Sequence, residues 1–80
     1  MDEYERVVRN TVRRVREEKG LTQAELANRL GVHRQTISRV ETGKRPLELG
    51  EFFDWAQALE VDEKELFSMI FNSLSESNAA

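Results

Sequence analysis

Four polar side chains between residues 33 and 42 are suited to reading the base edges of duplex DNA: Arg34, Gln35, Ser38 and Arg39. Arginine can hydrogen-bond both acceptors on the major-groove edge of guanine, and glutamine can pair with the acceptor and the donor of adenine. Serine is short enough to permit close approach. At about 100° per helical residue, the four spread over one arc, while Ile37 and Val40 fall on the opposite side. The pattern predicts one helix with a core face and a base-reading face.

The single histidine, His33, could serve as a general base, a metal ligand, a phosphate contact or a pH sensor. The sequence holds no second histidine and no cysteine, so ordinary zinc ligation cannot be completed. No recognisable nucleophile motif surrounds His33, and serines and carboxylates alone do not make a catalytic triad. We interpret His33 as a partly exposed structural residue beside a turn. We therefore expect a protein that is not an enzyme and uses no metal and no cofactor.

Charge is distributed unevenly along the chain, although its net value is only -3. Residues 6–45 carry eleven Lys or Arg against four acidic residues, whereas residues 46–80 carry one lysine against eight acidic residues. Polyanionic DNA favours Lys and Arg because their binding releases counterions. The asymmetry favours a basic face that meets an anion and an acidic rear face, although charges that only solvate helices would give a similar distribution.

Length and composition indicate a small binding module. Eighty residues form one domain with a small core and usually without a deep enzymatic cleft. The lack of cysteine excludes a disulfide framework and fits a reducing compartment. Apolar runs are short, and no signal-peptide pattern precedes the first charged segment. We expect a soluble, cytoplasmic protein with no membrane partner.

Apolar residues recur at helical spacing from near the beginning of the chain. Asp2 and Glu5 form a capping-box pattern, and the period continues until Gly20, which predicts a first helix over about residues 3–19. The apolar residues of this period are Tyr4, Val8, Val12 and Val15. This helix is expected to bury one stripe against the rest of the domain.

Two shorter helices are predicted next. Thr22 and Glu25 form a second capping-box pattern, so the second helix begins at Gln23. Its buried stripe is predicted to comprise Ala24, Leu26, Ala27 and Leu30. Gly31 permits a tight turn, and the third helix follows over about residues 33–42. Two short helices joined by a turn with glycine form a helix-turn-helix, which lets the second of the pair project from the domain.

Two further helices are predicted after the basic loop at residues 44–46. The fourth carries the period Leu49, Phe52, Phe53, Ala56 and Leu59. Its core stripe contains Phe52, Ala56 and Leu59, while Phe53 and Trp55 flank that stripe and could face a partner. Stacking of these aromatic residues on single-stranded bases is the competing interpretation, but their helical spacing favours the core.

A capping pattern from Asp62 to Glu65 begins the fifth helix, which carries an apolar face. That face comprises Leu66, Phe67, Ile70, Phe71 and Leu74. In the fourth helix, Gly50 is expected to cost about 1 kcal/mol of helix stability relative to alanine in the first turn. Residues 75–80 show no periodicity and are predicted to be a disordered tail, so the single domain spans residues 1–74.

The segment LTQAELANRLGVHRQTISRVETGKR, residues 21–45, resembles the helix-turn-helix core of the lambda-repressor-like family, the phage repressor and Cro group of XRE type. The similarity is densest from Arg16 to Pro46 and extends more loosely to Leu66. The resemblance implies an all-α, five-helix DNA-binding domain whose helix-turn-helix is formed by helices 2 and 3. His33 departs from the small hydroxyl residue common at its family position, which weakens the expectation of a side-chain cap there.

The resemblance also implies roles for individual residues. Base edges would be addressed by Arg34, Gln35, Ser38 and Arg39, and phosphates by Gln23, Thr36, Lys44 and Arg45. The role of Gln23 has a physical basis because a helix N-terminus presents free amides to phosphate, although a solvated first-turn glutamine would look the same. The basic loop residues could alternatively add solubility only. Arg16 and Glu41 are implied to form a partly buried structural ion pair between helices 1 and 3.

Helix 5 carries more apolar residues than one terminal helix needs, which predicts a dimer interface. Its predicted members are Leu66, Phe67, Met69, Ile70, Phe71 and Leu74. Exposed apolar area of this kind usually marks an interface, although the same residues could complete the monomer core. A two-fold dimer would present paired third helices to half-sites roughly 34 Å apart.

Together these patterns predict a sequence-specific transcription regulator that binds double-stranded DNA. We expect a homodimeric repressor that reads a near-palindromic operator through the major groove and could activate by contacting RNA polymerase. No small-molecule ligand domain is expected. Two alternatives remain open: a DNA-binding antitoxin that neutralises a partner protein, and a protein-interaction module that no longer binds DNA.

Overall fold

Five helices joined by short turns make up the computed structural model, which describes residues 3–77. They are α1 (Glu3–Glu18), α2 (Gln23–Leu30), α3 (Arg34–Glu41), α4 (Leu49–Ala58) and α5 (Glu63–Ser77). No strand occurs within this range. The predicted all-α, five-helix architecture is therefore confirmed. The predicted capping role of Asp2 lies outside the described residues.

Local capping sets the ends of α2. The Thr22 hydroxyl accepts a hydrogen bond from the Glu25 amide at 3.0 Å, and the Glu25 carboxylate accepts one from the Thr22 amide at 2.8 Å. These reciprocal bonds satisfy amides that the first helical turn leaves without partners, and they lower the pKa of Glu25. Gly31 ends α2 with a left-handed φ of 69°, which a residue with a side chain would adopt only with strain.

The boundaries of α3 differ slightly from the predicted ones. His33 has extended backbone angles and stands before the helix as its N-cap, without a side-chain capping bond. Thr42 stands after the helix, and its hydroxyl donates to the Ser38 carbonyl oxygen at 2.8 Å. The departure of His33 from a hydroxyl residue thus leaves α3 without the side-chain cap that α2 has.

The core lies where all five helices meet. Its fully buried members include Val12, Leu26, Ile37, Val40, Leu59 and Leu66. Helix α1 packs against α3 and α5, α2 packs against α3 and α4, and α4 packs against α5. The stripe of Phe52, Ala56 and Leu59 is buried as predicted. Ala24 is exposed, because it precedes the α2 stripe by half a turn, so its placement in the core was wrong.

Burial corrects several predictions for α4 and α5. Trp55 is only 3% exposed and belongs to the monomer core, so the interpretation that it faces a partner is wrong. Leu66 and Ile70 are 0% and 7% exposed, so neither can form a dimer surface while the monomer stays folded. Both residues lie on the side of α5 that packs on α1 and α4. Phe67 and Phe71 lie on the outer side and are exposed.

Helix α5 extends three residues beyond the predicted domain boundary. The Asp62 carboxylate accepts hydrogen bonds from the amides of Lys64 at 2.8 Å and Glu65 at 3.2 Å, which starts the helix. No glycine or proline interrupts residues 63–77, so nothing in the sequence ends the helix at residue 74. Residues 75–77 are helical instead of disordered, and the predicted tail at 78–80 lies outside the described residues. Among the described helices, none has the length and apolar character required to cross a membrane.

Candidate nucleic-acid interface

Helix α3 presents its polar side chains outward. Ile37 and Val40 are 0% and 1% exposed and anchor the helix on α1 and α2. Three of the four predicted base-reading residues are exposed: Arg34, Gln35 and Arg39. Ser38 is half-buried, as is Thr36, the predicted phosphate contact two residues closer to the helix start. The core face and the outward polar face thus coexist on a helix of eight residues.

The arginines of α3 have no anionic partner within residues 3–77. No carboxylate lies within ion-pair distance of Arg34 or Arg39 in that range. Guanidinium groups that remain unpaired at an exposed helix face keep their full hydrogen-bonding capacity for an external acceptor. The outward face of α3 can therefore donate to base edges or to phosphate oxygens.

The loop after α3 folds back onto the end of that helix. The carbonyl oxygen of Arg39 accepts hydrogen bonds from the backbone amides of Lys44 at 2.9 Å and Arg45 at 3.2 Å. Lys44 is exposed and follows the C-terminal end of α3, whereas Arg45 is half-buried. The two neighbouring cations of this loop, residues 42–48, are consequently in different environments.

Arg16 and Glu41 form a buried ion pair that joins α1 to the end of α3. The Glu41 carboxylate accepts from Arg16 Nε at 2.7 Å and from Nη2 at 3.0 Å, and its side chain is only 2% exposed. Hydrogen bonding to Glu41 raises the pKa of Arg16. Arg16 Nη1 also donates to the Leu21 carbonyl oxygen at 2.6 Å, immediately before the Thr22 cap. The pair therefore fixes the start of α2 as well as the end of α3.

Gln23 joins this network at the first position of α2. Its side-chain nitrogen, Nε2, donates to Glu41 Oε1 at 2.9 Å. Because a carboxylate can only accept, Glu41 determines that the amide nitrogen of Gln23, and not its oxygen, faces it. One amide proton is thus used internally, and the second proton and the side-chain oxygen remain for other partners. Gln23 is half-buried beside the free backbone amides of the helix start.

Arg45 is engaged by a carboxylate from α4. Its Nη1 donates to Glu51 Oε1 at 3.1 Å and to the Pro46 carbonyl oxygen at 3.2 Å, and its Nη2 donates to Glu51 Oε2. This contact raises the pKa of Arg45 and lowers that of Glu51. The predicted phosphate contact at Arg45 therefore already holds an anionic group.

Gly43 brings α1 close to the loop after α3. Its φ of 80° is left-handed, and a Cβ at this position would lie 2.9 Å from Cζ of Arg9. The guanidinium of Arg9 therefore packs against the glycine, and a side chain at residue 43 would have to displace it as well as adopt a strained left-handed backbone. Within the described range, no group of three or more His, Cys, Asp or Glu side chains is placed to hold a metal ion.

Residues 12–66 match the model of the helix-turn-helix family. The chain belongs to the XRE-type helix-turn-helix family. A relative described as the uncharacterized HTH-type transcriptional regulator y4dJ of Sinorhizobium fredii is 39% identical over 61 residues, which cover 76% of this chain and 79% of the relative. A relative described as an HTH-type transcriptional regulator is thus similar to this chain over about three quarters of its length.

Solved structures show the same similarity in three dimensions. The wild-type restriction-modification controller protein C.Esp1396I superposes with a TM-score of 0.89 at 26% identity, covering 95% of this chain and 99% of the controller protein. The C.Esp1396I tetramer in complex with its natural 35 base-pair operator gives a TM-score of 0.84 at 28% identity, over 90% of this chain and 95% of that one. An XRE-family like protein from Pseudomonas syringae pv. tomato gives 0.80 at 28% identity, over 88% of this chain and 85% of that one.

Two residues of this XRE-type interface were missed by sequence reasoning. Arg9 was assigned no role, although it packs on Gly43. Glu51 was also overlooked, although it binds Arg45. The only local signal for Glu51 was its position three residues after Glu48, whose amide donates to Glu51 Oε1 at 3.0 Å. Such spacing suggests a helix start but does not reveal the partner in the preceding loop.

Proposed function

We propose that this XRE-type regulator acts as a homodimer that represses transcription by reading a near-palindromic operator in the major groove. The observation that carries the proposal is the outward face of α3, where Arg34, Gln35 and Arg39 are exposed over a buried Ile37 and Val40. This arrangement gives base-specific donors a rigid support, which direct readout requires. The domain performs no catalysis in this proposal.

Backbone contacts position the protein on the duplex. Gln23 presents its remaining amide proton beside the free backbone amides at the start of α2, where the helix dipole favours phosphate. Lys44 supplies an exposed cation at the other end of the helix-turn-helix. Thr36 is half-buried and supplies a hydroxyl donor from the first turn of α3. These groups fix register and orientation, while the α3 side chains discriminate between sequences.

Dimerisation follows from an apolar surface that the monomer leaves uncovered. We define the α4–α5 aromatic surface as Leu49, Phe53, Phe67 and Phe71, whose exposures range from 42% to 68%. Phe53 and Phe67 adjoin each other across the buried ring of Phe52, which makes edge-to-face contacts with both at centroid distances of 5.6 and 6.4 Å. A second copy of the chain would cover this surface by two-fold symmetry. Met69 and Leu74, which are half-buried, would lie at its margin.

The comparisons support operator binding by more than one copy. The controller protein C.Esp1396I, which superposes on almost the whole chain, has been solved as a tetramer on its operator. The proposed dimer would act on cytoplasmic DNA. It would activate instead of repress where exposed acidic residues of its C-terminal half contact RNA polymerase from a suitably placed site.

Selection of bound sequences from a random duplex pool, at stated salt concentration, tests this function. We expect enrichment of two related half-sites whose centres lie roughly one helical turn, or 34 Å, apart. Arg39→Ala should then lower discrimination between bases by about 1 to 3 kcal/mol, whereas Lys44→Ala should weaken all duplexes similarly. An unenriched pool would contradict sequence-specific binding. Isolation of a tight, stoichiometric protein partner in addition to DNA binding would favour the antitoxin alternative.

A further inference from the structure

Two neighbouring cations of the loop at residues 42–48 differ in what they contact. Lys44 is exposed, and no carboxylate among residues 3–77 lies within ion-pair distance of it. Arg45 is held by both oxygens of Glu51 through its two terminal nitrogens. The loop therefore offers one exposed ammonium group and one guanidinium that is already occupied.

The contact that Glu51 makes is the one that a phosphate would make. A guanidinium presents two parallel N–H groups that match two oxygens of either a carboxylate or a phosphate. Both Nη atoms of Arg45 are directed to Glu51, and Nη1 is shared with the Pro46 carbonyl oxygen. A phosphate can use the Nη1–Nη2 pair of Arg45 only by displacing Glu51. The Nε–H group and the second Nη2 proton stay available, but the positive charge of the guanidinium is already balanced by the Glu51 carboxylate.

The position of Glu51 is itself fixed by the fold. Glu51 lies in the first turn of α4, and its Oε1 accepts a hydrogen bond from the Glu48 amide at 3.0 Å. The side chains of Arg45 and Glu51 are 37% and 30% exposed, so the ion pair is shielded from water over most of its surface. Displacement of Glu51 would leave the Glu48 amide without this partner and would place a carboxylate beside the DNA backbone, where like charges repel.

We propose that Glu51 withholds Arg45 from the DNA backbone, so that the loop after α3 neutralises phosphate through Lys44 alone. Glu51 is then an affinity-determining residue, because it sets the number of cations that each protomer places on the duplex. The inference rests on the proposed DNA-binding function and concerns how many contacts that function uses.

The salt dependence of operator binding tests this inference directly. Each phosphate that is neutralised adds about 0.9 to the steepness of log K against log salt concentration. Glu51→Gln keeps an oxygen acceptor for the Glu48 amide but removes the charge that holds Arg45. We expect this variant to bind the selected operator with a slope steeper by about 0.9 per protomer and with an affinity that is higher by roughly tenfold per protomer at about 0.1 M salt.

Two further variants separate release of Arg45 from a general change in charge. Asp54→Asn removes the same charge from an exposed position of α4, and we expect it to leave the slope almost unchanged. The double variant Glu51→Gln with Arg45→Gln should return to the wild-type slope, because it lacks the cation that Glu51→Gln releases. Circular dichroism should show equal helix content in all of these proteins.

Distinct results would overturn the inference. If Glu51→Gln leaves the slope unchanged and the double variant falls below wild type by about 0.9 per protomer, Arg45 already binds phosphate in the wild-type complex. If Glu51→Gln does not fold, nitrogen NMR of the wild-type protein tests the inference. We expect the Arg45 side-chain signals not to shift when operator is added, and a shift would overturn the inference. Failure of the wild-type protein to bind any duplex would instead contradict the proposed function.

Discussion

Replacement of Phe71 by glutamate should separate the proposed dimer into folded monomers. Phe71 is 60% exposed in the monomer and lies one turn after Phe67, which is 57% exposed. A phenylalanine presents about 200 Å² of surface, so about 120 Å² of Phe71 is available for burial in each protomer. Two-fold symmetry doubles this contribution to about 240 Å² per dimer.

The expected change in affinity follows from that area. At about 25 cal/mol per Å², complete burial of both Phe71 side chains would contribute about 6 kcal/mol to association. If the partner covers half of this area, the contribution is about 3 kcal/mol, which corresponds to a dimer Kd more than 100-fold weaker after substitution. Glutamate adds the cost of removing a charge from water, so this value is a lower bound.

Analytical ultracentrifugation over a range of protein concentrations measures the dimer Kd, and circular dichroism follows helix content. Asn72→Glu is the matched control, because it adds the same charge at the next, exposed position of α5. We expect Phe71→Glu to weaken association and Asn72→Glu to leave it nearly unchanged, with helix content preserved in both. Equal association of wild type and Phe71→Glu would refute the placement of the interface. Loss of the fold would show that Phe71 contributes to the monomer core.

Three further predictions concern stability and can be measured by urea denaturation. Glu41→Ala should lower the free energy of unfolding by roughly 3 to 5 kcal/mol, because it removes the carboxylate partner of the Arg16 guanidinium. The Arg16 side chain is only 9% exposed, so water cannot replace that partner. A loss below about 1 kcal/mol would contradict effective burial of the pair. Gly50→Ala should raise the free energy of unfolding by up to about 1 kcal/mol, because a Cβ at residue 50 meets nothing within 4 Å and alanine favours the helix. A lower free energy of unfolding would indicate a steric conflict at this position. Since Arg45 lowers the pKa of Glu51, the stability from this pair should be complete above the ordinary glutamate pKa and be lost as pH falls through the lower pKa of the folded state. Glu51→Gln should remove that part of the acid sensitivity, and an unchanged pH profile would argue against the pair.

The helix-turn-helix could be predicted from sequence because its signals are local. The Thr22 capping box fixes the start of α2, and Gly31 supplies the left-handed turn that separates α2 from α3. The outward direction of Arg34 and Arg39 follows from helical geometry once Ile37 is assigned to the core. None of these inferences required knowledge of distant contacts.

The core stripe of α4 was predicted from its period, but the burial of Trp55 and the packing of α5 could not be predicted in the same way. Both helices carry apolar residues around more than one side, so the period alone does not say which side meets the core. Trp55 and Leu66 proved to be inside, while Phe53 and Phe67 are outside. The choice depends on how α5 packs against α1 and α4, which is a tertiary contact between distant parts of the sequence.

Ion pairing also changes what the charge distribution means. The eleven cations of residues 6–45 suggest an extended basic surface, yet several of them are neutralised within the fold. Glu41 holds Arg16 in the interior, and Glu51 holds Arg45 in the loop. Because Glu51 comes from the acidic half of the sequence, the two halves are not two separate electrostatic faces. The cations that stay without a carboxylate around the helix-turn-helix are concentrated on α3 and at Lys44. The basic surface available for the proposed DNA contacts is therefore narrower than the number of cations in the sequence implies.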